Sequence, residues 1–177
     1  PAMIRQVRRA WCESLWNAVE KENIVKKDII HENSNNHNKY INNENSGEKS
    51  AEQAGAVLRA MTVDDISAVK QIEQTCFSDA WSEKLLSDLL ESEWDEAWVL
   101  TDTDGTRIGY ANFRFLAGEG ELMRIAVLPE HRGCGESKKL MDRLEISAKE
   151  KEAPDLTLEV RAGNTPAINL YKSYGFQ

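Results

Sequence analysis

The stretch Glu121-Leu-Met-Arg-Ile-Ala-Val-Leu-Pro-Glu-His-Arg-Gly-Cys-Gly-Glu-Ser137 decides the fold. Its first part, Leu122–Leu128, is an apolar run interrupted only by Arg124 and stopped by Pro129, which predicts a buried strand. A glycine-bearing loop follows, and then an apolar spacing typical of one helix face. The residues at this spacing are Leu140, Met141, Leu144 and Ala148. A strand, a loop and a helix N-terminus in this order predict an anion site.

The loop differs from two well-known phosphate-binding motifs. It lacks the Gly-Lys-Ser/Thr ending and the longer glycine spacing of a Walker loop. It also lacks the third glycine of a dinucleotide-binding Gly-x-Gly-x-x-Gly, because Lys138 stands three residues after Gly135. We therefore expect a phosphate-binding loop of another kind.

Two blocks of sequence resemble the GNAT acetyltransferases. Arg132-Gly-Cys-Gly-Glu-Ser137 is similar to their Arg/Gln-x-x-Gly-x-Gly/Ala loop, which holds the pyrophosphate of acetyl-coenzyme A (acetyl-CoA). Leu158-Glu-Val-Arg161, followed by Asn164-Thr-Pro-Ala-Ile-Asn-Leu-Tyr-Lys-Ser-Tyr-Gly-Phe176, resembles the RimI-type branch, the ribosomal-protein-alanine N-acetyltransferases. The resemblance implies a mixed α/β fold with acetyl-CoA as co-substrate.

The charge of the 177-residue chain is unevenly distributed. Residues 1–55 contain 8 basic and 8 acidic side chains, whereas residues 56–177 contain 14 and 22, so the whole net charge of −8 lies in the second part. An acidic domain is a poor nucleic-acid binder and attracts basic peptides or amines. The same charge is equally consistent with an ordinary acidic cytosolic enzyme.

Cysteine spacing and hydropathy indicate the cellular compartment of the protein. Cys12, Cys76 and Cys134 are scattered, which argues against a disulfide framework or a metal site and favours reduced thiols in the cytoplasm. No apolar run approaches the ~20 residues that span a bilayer, so we expect no membrane partner. No signal peptide is recognisable. The sequence starts with Pro1 and stops two residues after Gly175, and we expect a fragment at both ends.

Three regions are predicted along the chain. Residues 1–30 carry a helical apolar spacing that predicts a helix from about residue 4 to 27, of unknown role. The residues at this spacing are Ile4, Val7, Trp11, Leu15, Ala18 and Val19. Residues 31–55 are asparagine-rich and poor in large apolar side chains, so we expect a flexible linker. Residues 56–177 form the predicted GNAT N-acetyltransferase domain.

Within residues 56–177 the patterns predict the order β, α, α, β, β, β, α, β, α. Thr62, Ser82 and Asn164 are the predicted helix caps, and Asp102-Thr-Asp-Gly105 is a predicted hairpin turn. This order matches the GNAT fold, a mixed sheet in which two neighbouring strands splay apart around the cofactor. The family continues for two more strands. We therefore expect the C-terminal strands to be missing and the strand at Leu156–Val160 to have an unpaired edge.

The resemblance assigns cofactor contacts to two segments. Main-chain groups of Ile125, Ala126 and Val127 would bind the pantetheine arm, and one N–H there would face the thioester oxygen. The pyrophosphate would be held by the loop residues Arg132, Gly133, Cys134, Gly135, Glu136, Ser137 and Lys138. Asn164 matches a cofactor-contacting asparagine, although a helix cap explains it equally well.

Acetyl transfer to an amine also requires a proton acceptor and a proton donor. Glu159 alternates with the apolar Leu158 and Val160, so its side chain points away from theirs. RimI-type enzymes use a glutamate at this place as general base, and a tyrosine matched by Tyr171 as general acid towards the coenzyme A (CoA) thiolate. The alternatives are a solvent-facing strand glutamate and a core tyrosine. His131 carries little weight as a base.

The acceptor implied by the resemblance is a protein N-terminus, that of a ribosomal protein. Phe77-Ser-Asp-Ala-Trp81-Ser82 resembles the segment that borders the acceptor site in RimI-type enzymes, although Phe77 and Trp81 are equally explained as core anchors. Two residues depart from the family loop, Ser137 and above all Glu136, a carboxylate on the apolar helix face or beside the diphosphate. They leave two alternatives open, an acetyltransferase for a small amine or antibiotic and a degenerate acetyl-CoA-binding module.

Overall fold

A computed structural model of the chain describes residues 2–8 and 55–177, which belong to one compact unit. This part of the chain contains six strands, four α-helices and two short 3-10 turns, Val63–Asp65 and Pro129–His131. The strands are β1 (Met3–Arg8), β2 (Val57–Ala60), β3 (Asp95–Thr101), β4 (Arg107–Leu116), β5 (Glu119–Val127) and β6 (Asp155–Arg161). The helices are α1 (Ile66–Cys76), α2 (Glu83–Glu91), α3 (Glu136–Glu150) and α4 (Thr165–Ser173).

The six strands form one sheet in the order β1-β6-β5-β4-β3-β2. All neighbours are antiparallel except β5 and β6, which are parallel. The predicted order of elements from residue 57 onward and the mixed α/β class are both confirmed.

The parallel pair β5–β6 is joined over only part of its length. Glu119–Leu122 pair with Asp155–Leu158, and the register ends there, although β5 continues to Val127 and β6 to Arg161. The predicted splay between these two strands is therefore present. It begins at Glu159, the residue after the last paired position of β6.

The strand β1 corrects two expectations. Met3–Arg8 form a strand where the apolar spacing predicted the start of a helix, and the rest of that predicted helix lies outside the described residues. β1 pairs with β6 over its whole length, from Met3 opposite Arg161 to Arg8 opposite Leu156, so the expected unpaired edge of β6 is wrong. The asparagine-rich linker also lies almost wholly outside the described residues, and its assignment stays a prediction.

Two of the three predicted helix caps are confirmed. The Ser82 side chain accepts a hydrogen bond from the Leu85 N–H at 3.2 Å, and Asn164 accepts one from the Ala167 N–H at 3.3 Å. Thr62 caps the 3-10 turn that leads directly into α1, and its N–H donates to the Asp65 carboxylate at 2.9 Å.

The helices cover the sheet with the faces that the sequence predicts. The buried residues of α1 and α2 pack against the sheet in one cluster that includes Val69, Ile72, Leu86, Leu89, Val99, Tyr110 and Ala126. The predicted apolar face of α3 is also buried, since Leu140, Met141, Leu144 and Ala148 are each 0% exposed. This packing fixes β5 between helices and leaves its divergence from β6 as the place for a cleft.

Candidate active site

Two adjoining cavities lie where β5 and β6 diverge. One, of ≈ 330 Å³, includes Met3, Glu159 and Arg161 in its lining and is called here the strand cavity. The other, of ≈ 370 Å³, includes Gly133, Glu136 and Ser137 and is called the loop cavity. The residues common to both linings are Cys76, Phe77, Ile125, Asn164 and Tyr171. A molecule spanning both cavities would run from the glycine loop to the end of β6.

The loop cavity has the geometry of an anion site. Gly133 and Gly135 adopt φ values of 81° and 89°, a conformation that residues with a Cβ atom rarely adopt. Gly135 is the cap residue of α3, so the first N–H groups of this helix follow the loop directly. Unpaired N–H groups and the helix dipole at this position suit a phosphate.

Most of the predicted cofactor residues line this cavity. They are Ile125, Ala126, Val127, Arg132, Gly133, Glu136, Ser137 and Asn164, and His131 joins them. Cys134, Gly135 and Lys138 are not among the lining residues of either cavity, and their contact with the cofactor stays a prediction. The prediction that the site holds no metal also stays a prediction.

Arg132 connects the loop to the end of β5. Its Nε donates to the Val127 carbonyl at 2.8 Å, and its Nη2 lies 3.4 Å from the Cys76 sulfur. Burial raises the pKa of the Cys76 thiol, which keeps that side chain neutral. The guanidinium therefore holds the loop against the strand that borders both cavities.

Glu136, which departs from the family loop pattern, forms an ion pair with the neighbouring Lys139. The Glu136 side chain is only 12% exposed, and its Oε2 lies 2.9 Å from Lys139 Nζ in an ion pair. The same ammonium donates to the Ala56 carbonyl at 2.9 Å. Both residues of the pair lie in the first turn of α3, so a carboxylate partly neutralised by Lys139 faces the loop cavity.

Glu159 lies where the interpretation of β6 placed it. Leu158 and Val160 are buried, at 1% and 4% exposure, whereas Glu159 is exposed and lines the strand cavity. The predicted alternation is therefore present. An exposed carboxylate at the divergence of β5 and β6 is accessible to an incoming amine.

Tyr171 lies deeper than Glu159 and lines both cavities. It is 5% exposed, and its ring packs edge-on against Phe176 at a centroid distance of 6.2 Å. Burial raises the pKa of Tyr171 to about 12, above the ordinary tyrosine value of about 10. The phenol therefore stays protonated throughout the physiological pH range.

A residue without a predicted role, Arg124, organises the segment between α1 and α2. Its Nη2 donates to the Asp79 carbonyl at 2.7 Å and to Glu73 Oε2 at 3.3 Å. Its guanidinium lies 4.2 Å from the Phe77 ring centroid and 4.7 Å from that of Trp81. Phe77 also lines both cavities, so this side chain serves as an anchor and as a border of the cleft.

Glu73 of α1 takes part in the same hydrogen-bond network as Arg124. Its side chain is fully buried, accepts the Trp81 N–H at 2.6 Å and also accepts the Tyr110 hydroxyl. Burial, reinforced by the hydrogen bond to this carboxylate, raises the pKa of Tyr110. The network fixes the segment after α1 against the central strands β4 and β5.

A second arginine, Arg161 of β6, contacts the segment between α1 and α2. Arg161 Nη2 donates to Ser78 Oγ at 2.8 Å and to Asp79 Oδ1 at 3.2 Å. Asp79 and Arg161 both line the strand cavity, so this contact joins its two sides. Both ends of the contact are about half exposed or more, at 46% and 67%, which makes it easily broken in water.

The sequence contained signals for some of these residues. Arg124 was visible as the only charge in a buried apolar run, which requires a partner, but the partners Glu73 and Asp79 lie on a distant segment. Met3 could not have been found, because its place in the cavity depends on the pairing of β1 with β6.

Comparison with known proteins identifies a family and relatives. Residues 66–176 match the profile of the acetyltransferase (GNAT) family. A protein from Bacillus subtilis (strain 168), provisionally named a [ribosomal protein bS18]-alanine N-acetyltransferase, is 33% identical over 123 residues, which are 69% of this chain and 81% of the relative.

Solved structures agree with the fold. The crystal structure of the ribosomal-protein-S18-alanine N-acetyltransferase from Escherichia coli superposes with a TM-score of 0.63 at 30% identity, covering 69% of this chain and 77% of that one. The PaiA N-acetyltransferase from Thermoplasma acidophilum, solved with coenzyme A, has a TM-score of 0.61 at 17% identity, covers 68% of this chain and 88% of that one, and supports the fold alone. In the part of the chain that the structure describes, no helix has the length and apolarity to cross a bilayer.

Proposed function

Because the chain belongs to the acetyltransferase (GNAT) family, we propose that it transfers an acetyl group from acetyl-CoA to the N-terminal alanine of ribosomal protein bS18. The observation that carries the proposal is the pair Glu159 and Tyr171 in one cavity that adjoins a glycine loop at a helix N-terminus. The relatives named for this activity at 30–33% identity support the choice of acceptor.

The cofactor half of the proposal rests on main-chain groups. Gly133 and Gly135 allow the loop before α3 to present N–H groups to a diphosphate. Beyond Leu122, β5 is no longer paired with β6. The N–H and C=O groups of Met123–Val127 that bond neither to β4 nor, at the Val127 carbonyl, to Arg132 can therefore bind a pantetheine arm. Acetyl-CoA would supply the acetyl thioester that the acceptor amine attacks.

In the catalytic half of the proposal, Glu159 and Tyr171 each carry out one proton transfer. Glu159 would accept the proton from the acceptor's ammonium group, directly or through a water, since it is the exposed carboxylate at the divergence of β5 and β6. Tyr171 would donate to the departing thiolate. Its raised pKa makes it a weak acid but keeps the donor protonated, so it can stabilise the sulfur by a hydrogen bond.

The oxyanion of the tetrahedral intermediate would be stabilised by an N–H of Ile125, Ala126 or Val127. Ile125 lines both cavities, whereas Ala126 and Val127 line the loop cavity. A cytoplasmic location and the absence of nucleic-acid and membrane partners are also part of the proposal.

The test is acetylation of a peptide with the N-terminal residues of bS18, followed by mass spectrometry and fragmentation. We expect the acetyl group on the α-amine and no product from the same peptide with a blocked N-terminus. A polyamine and an aminoglycoside serve as competing acceptors. Transfer only to these small amines would reject the protein acceptor, and binding of acetyl-CoA without transfer to any acceptor would reject the enzyme.

A further inference from the structure

The strand beside the candidate base comes from a part of the chain that the family profile does not cover. β1 lies at the edge of the sheet and pairs with β6 at every position from Met3 to Arg8. The profile matches residues 66–176, so β1 lies well before its start. The family match therefore gives no information about this side of the site, which has to be interpreted from the residues of β1 themselves.

The register decides which side chains of β1 face the cleft. Directly opposed residues of an antiparallel pair point to the same face of a sheet, about 4.5–5.5 Å apart at Cβ. Arg5 is opposite Glu159 and Met3 is opposite Arg161, so these four side chains share one face. Both β6 residues of this face line the strand cavity, as does Val160 between them.

The other face of β1 is turned towards α3. Ile4 and Gln6 are opposite the buried residues Val160 and Leu158, and the Arg8 guanidinium pairs with Glu145 of α3. Ile4 and Met3 are adjacent, similar in size and similarly exposed, at 41% and 53%. They differ in the face they occupy, which makes Ile4 the matched control for Met3.

Met3 completes the lining of the strand cavity. It is the β1 residue of a lining that also contains Glu159, Arg161 and Tyr171. Its flexible apolar side chain is half exposed, so it has contact area available for another molecule. An acceptor whose amine reaches Glu159 therefore occupies a cavity that Met3 also lines.

We propose that Met3 is a specificity-determining residue of the acceptor site, where its side chain contacts the first side chains of the acceptor peptide. The proposal rests on the proposed function, because it takes the acceptor to be a peptide N-terminus. An apolar residue at this place favours acceptors whose first residues after the amine are apolar. A charge introduced at the same place selects acceptors of the opposite charge.

The experiment compares Met3→Glu and Met3→Lys with two peptides that share an N-terminal alanine and carry either lysine or glutamate at the second and third positions. The measured quantity is the ratio of kcat/KM for the two peptides. We expect Met3→Glu to shift the ratio towards the lysine peptide and Met3→Lys towards the glutamate peptide, with about a 3–10-fold difference between the variants at low salt. High salt should reduce this difference.

Ile4→Glu and Ile4→Lys are the controls, and their ratios should equal that of the wild type. The KM for acetyl-CoA should stay unchanged in all variants, which shows that the cofactor half is intact. Equal ratios for Met3→Glu and Met3→Lys in active enzymes would overturn the role of Met3 while leaving the proposed function in place. A wild-type chain that acetylates neither these two peptides nor the bS18 peptide would reject the proposed function and the role of Met3 with it.

Discussion

Glu159 and Tyr171 illustrate how two protonatable residues in one cavity can have different tasks. Glu159 is exposed to solvent, whereas Tyr171 is only 5% exposed, and its burial raises its pKa to about 12. An accessible carboxylate suits the removal of a proton that must leave the site. A buried phenol that stays protonated suits the donation of a hydrogen bond to a thiolate.

The first prediction concerns the base. Glu159→Gln should lower kcat by about 10²–10⁴-fold, because an amide of the same shape cannot accept the ammonium proton. Binding of acetyl-CoA, measured by calorimetry, should stay nearly intact. Glu119→Gln, an exposed strand glutamate at the start of β5, is the control and should retain full activity. Equal rates for both variants at neutral pH would remove Glu159 from the mechanism.

The second prediction concerns the carboxylate in the loop cavity. Glu136→Gln removes a negative charge beside the proposed diphosphate site and releases Lys139 from its ion pair, so acetyl-CoA should bind about 2–5-fold more tightly. Glu150→Gln, at the far end of the same helix, should leave binding unchanged. Weaker binding by Glu136→Gln would mean that the Glu136–Lys139 pair is needed to shape the loop.

At the scale of elements, the 3-10 turn Val63–Asp65 ties β2 to β4 through one buried carboxylate. Asp65 accepts from Arg59 Nη1 and Nη2, both at 2.7 Å, and from Arg107 Nε at 2.8 Å. The hydrogen bonds from Arg59, aided by those from Thr62 and Arg107, hold the pKa of Asp65 well below its usual value. The folded state therefore favours the ionised carboxylate more strongly than the unfolded state does.

The third prediction follows from this pKa. Asp65→Asn should lower the free energy of unfolding at pH 7 by about 2 kcal/mol, because it removes the buried carboxylate that accepts hydrogen bonds from two partly exposed arginines, Arg59 and Arg107. A carboxylate with a depressed pKa contributes its full stability above its unfolded pKa of about 3.9 and loses it as the pH falls towards the folded pKa. The difference between wild type and variant in urea titrations should therefore shrink from pH 5 to pH 3, and a constant difference would contradict the assignment.

At the scale of the whole molecule, the cleft is assembled from distant parts of the chain. β1, the segment after α1, β5, β6 and α4 all contribute to the strand cavity. The residues from 56 to 177 carry 14 basic and 22 acidic side chains, so this part of the chain has a net charge of −8. The long-range field of a negatively charged domain raises the rate at which basic acceptors arrive.

The fourth prediction uses this field. For an alanine peptide with several lysines, kcat/KM should fall by about 3–10-fold between low and high salt, because screening weakens long-range attraction. The same peptide with glutamines in place of the lysines is the control and should show little change. An equal response of both peptides would show that the net charge does not steer the acceptor.

The sequence by itself determined the order of elements from residue 57 and the positions of the glycine loop, Glu159 and Tyr171. These depend on local features: apolar periodicity, cap residues, glycines at positive φ and alternation along one strand. Each of these features lies in consecutive residues, so each could be recognised from the sequence without knowledge of the fold.

Only the tertiary structure determined which distant strands and side chains contact one another. The apolar spacing of Ile4 and Val7 indicated a helix, yet residues 3–8 form a strand, because they pair with the N–H and C=O groups along the edge of β6, a pairing that no local pattern reveals. The partners of Arg124, the contact of Arg161 with Asp79 and the place of Met3 arise in the same way. Pairing between distant segments is a property of the packed sheet, and the free energy that selects it comes from contacts that neighbouring residues cannot make.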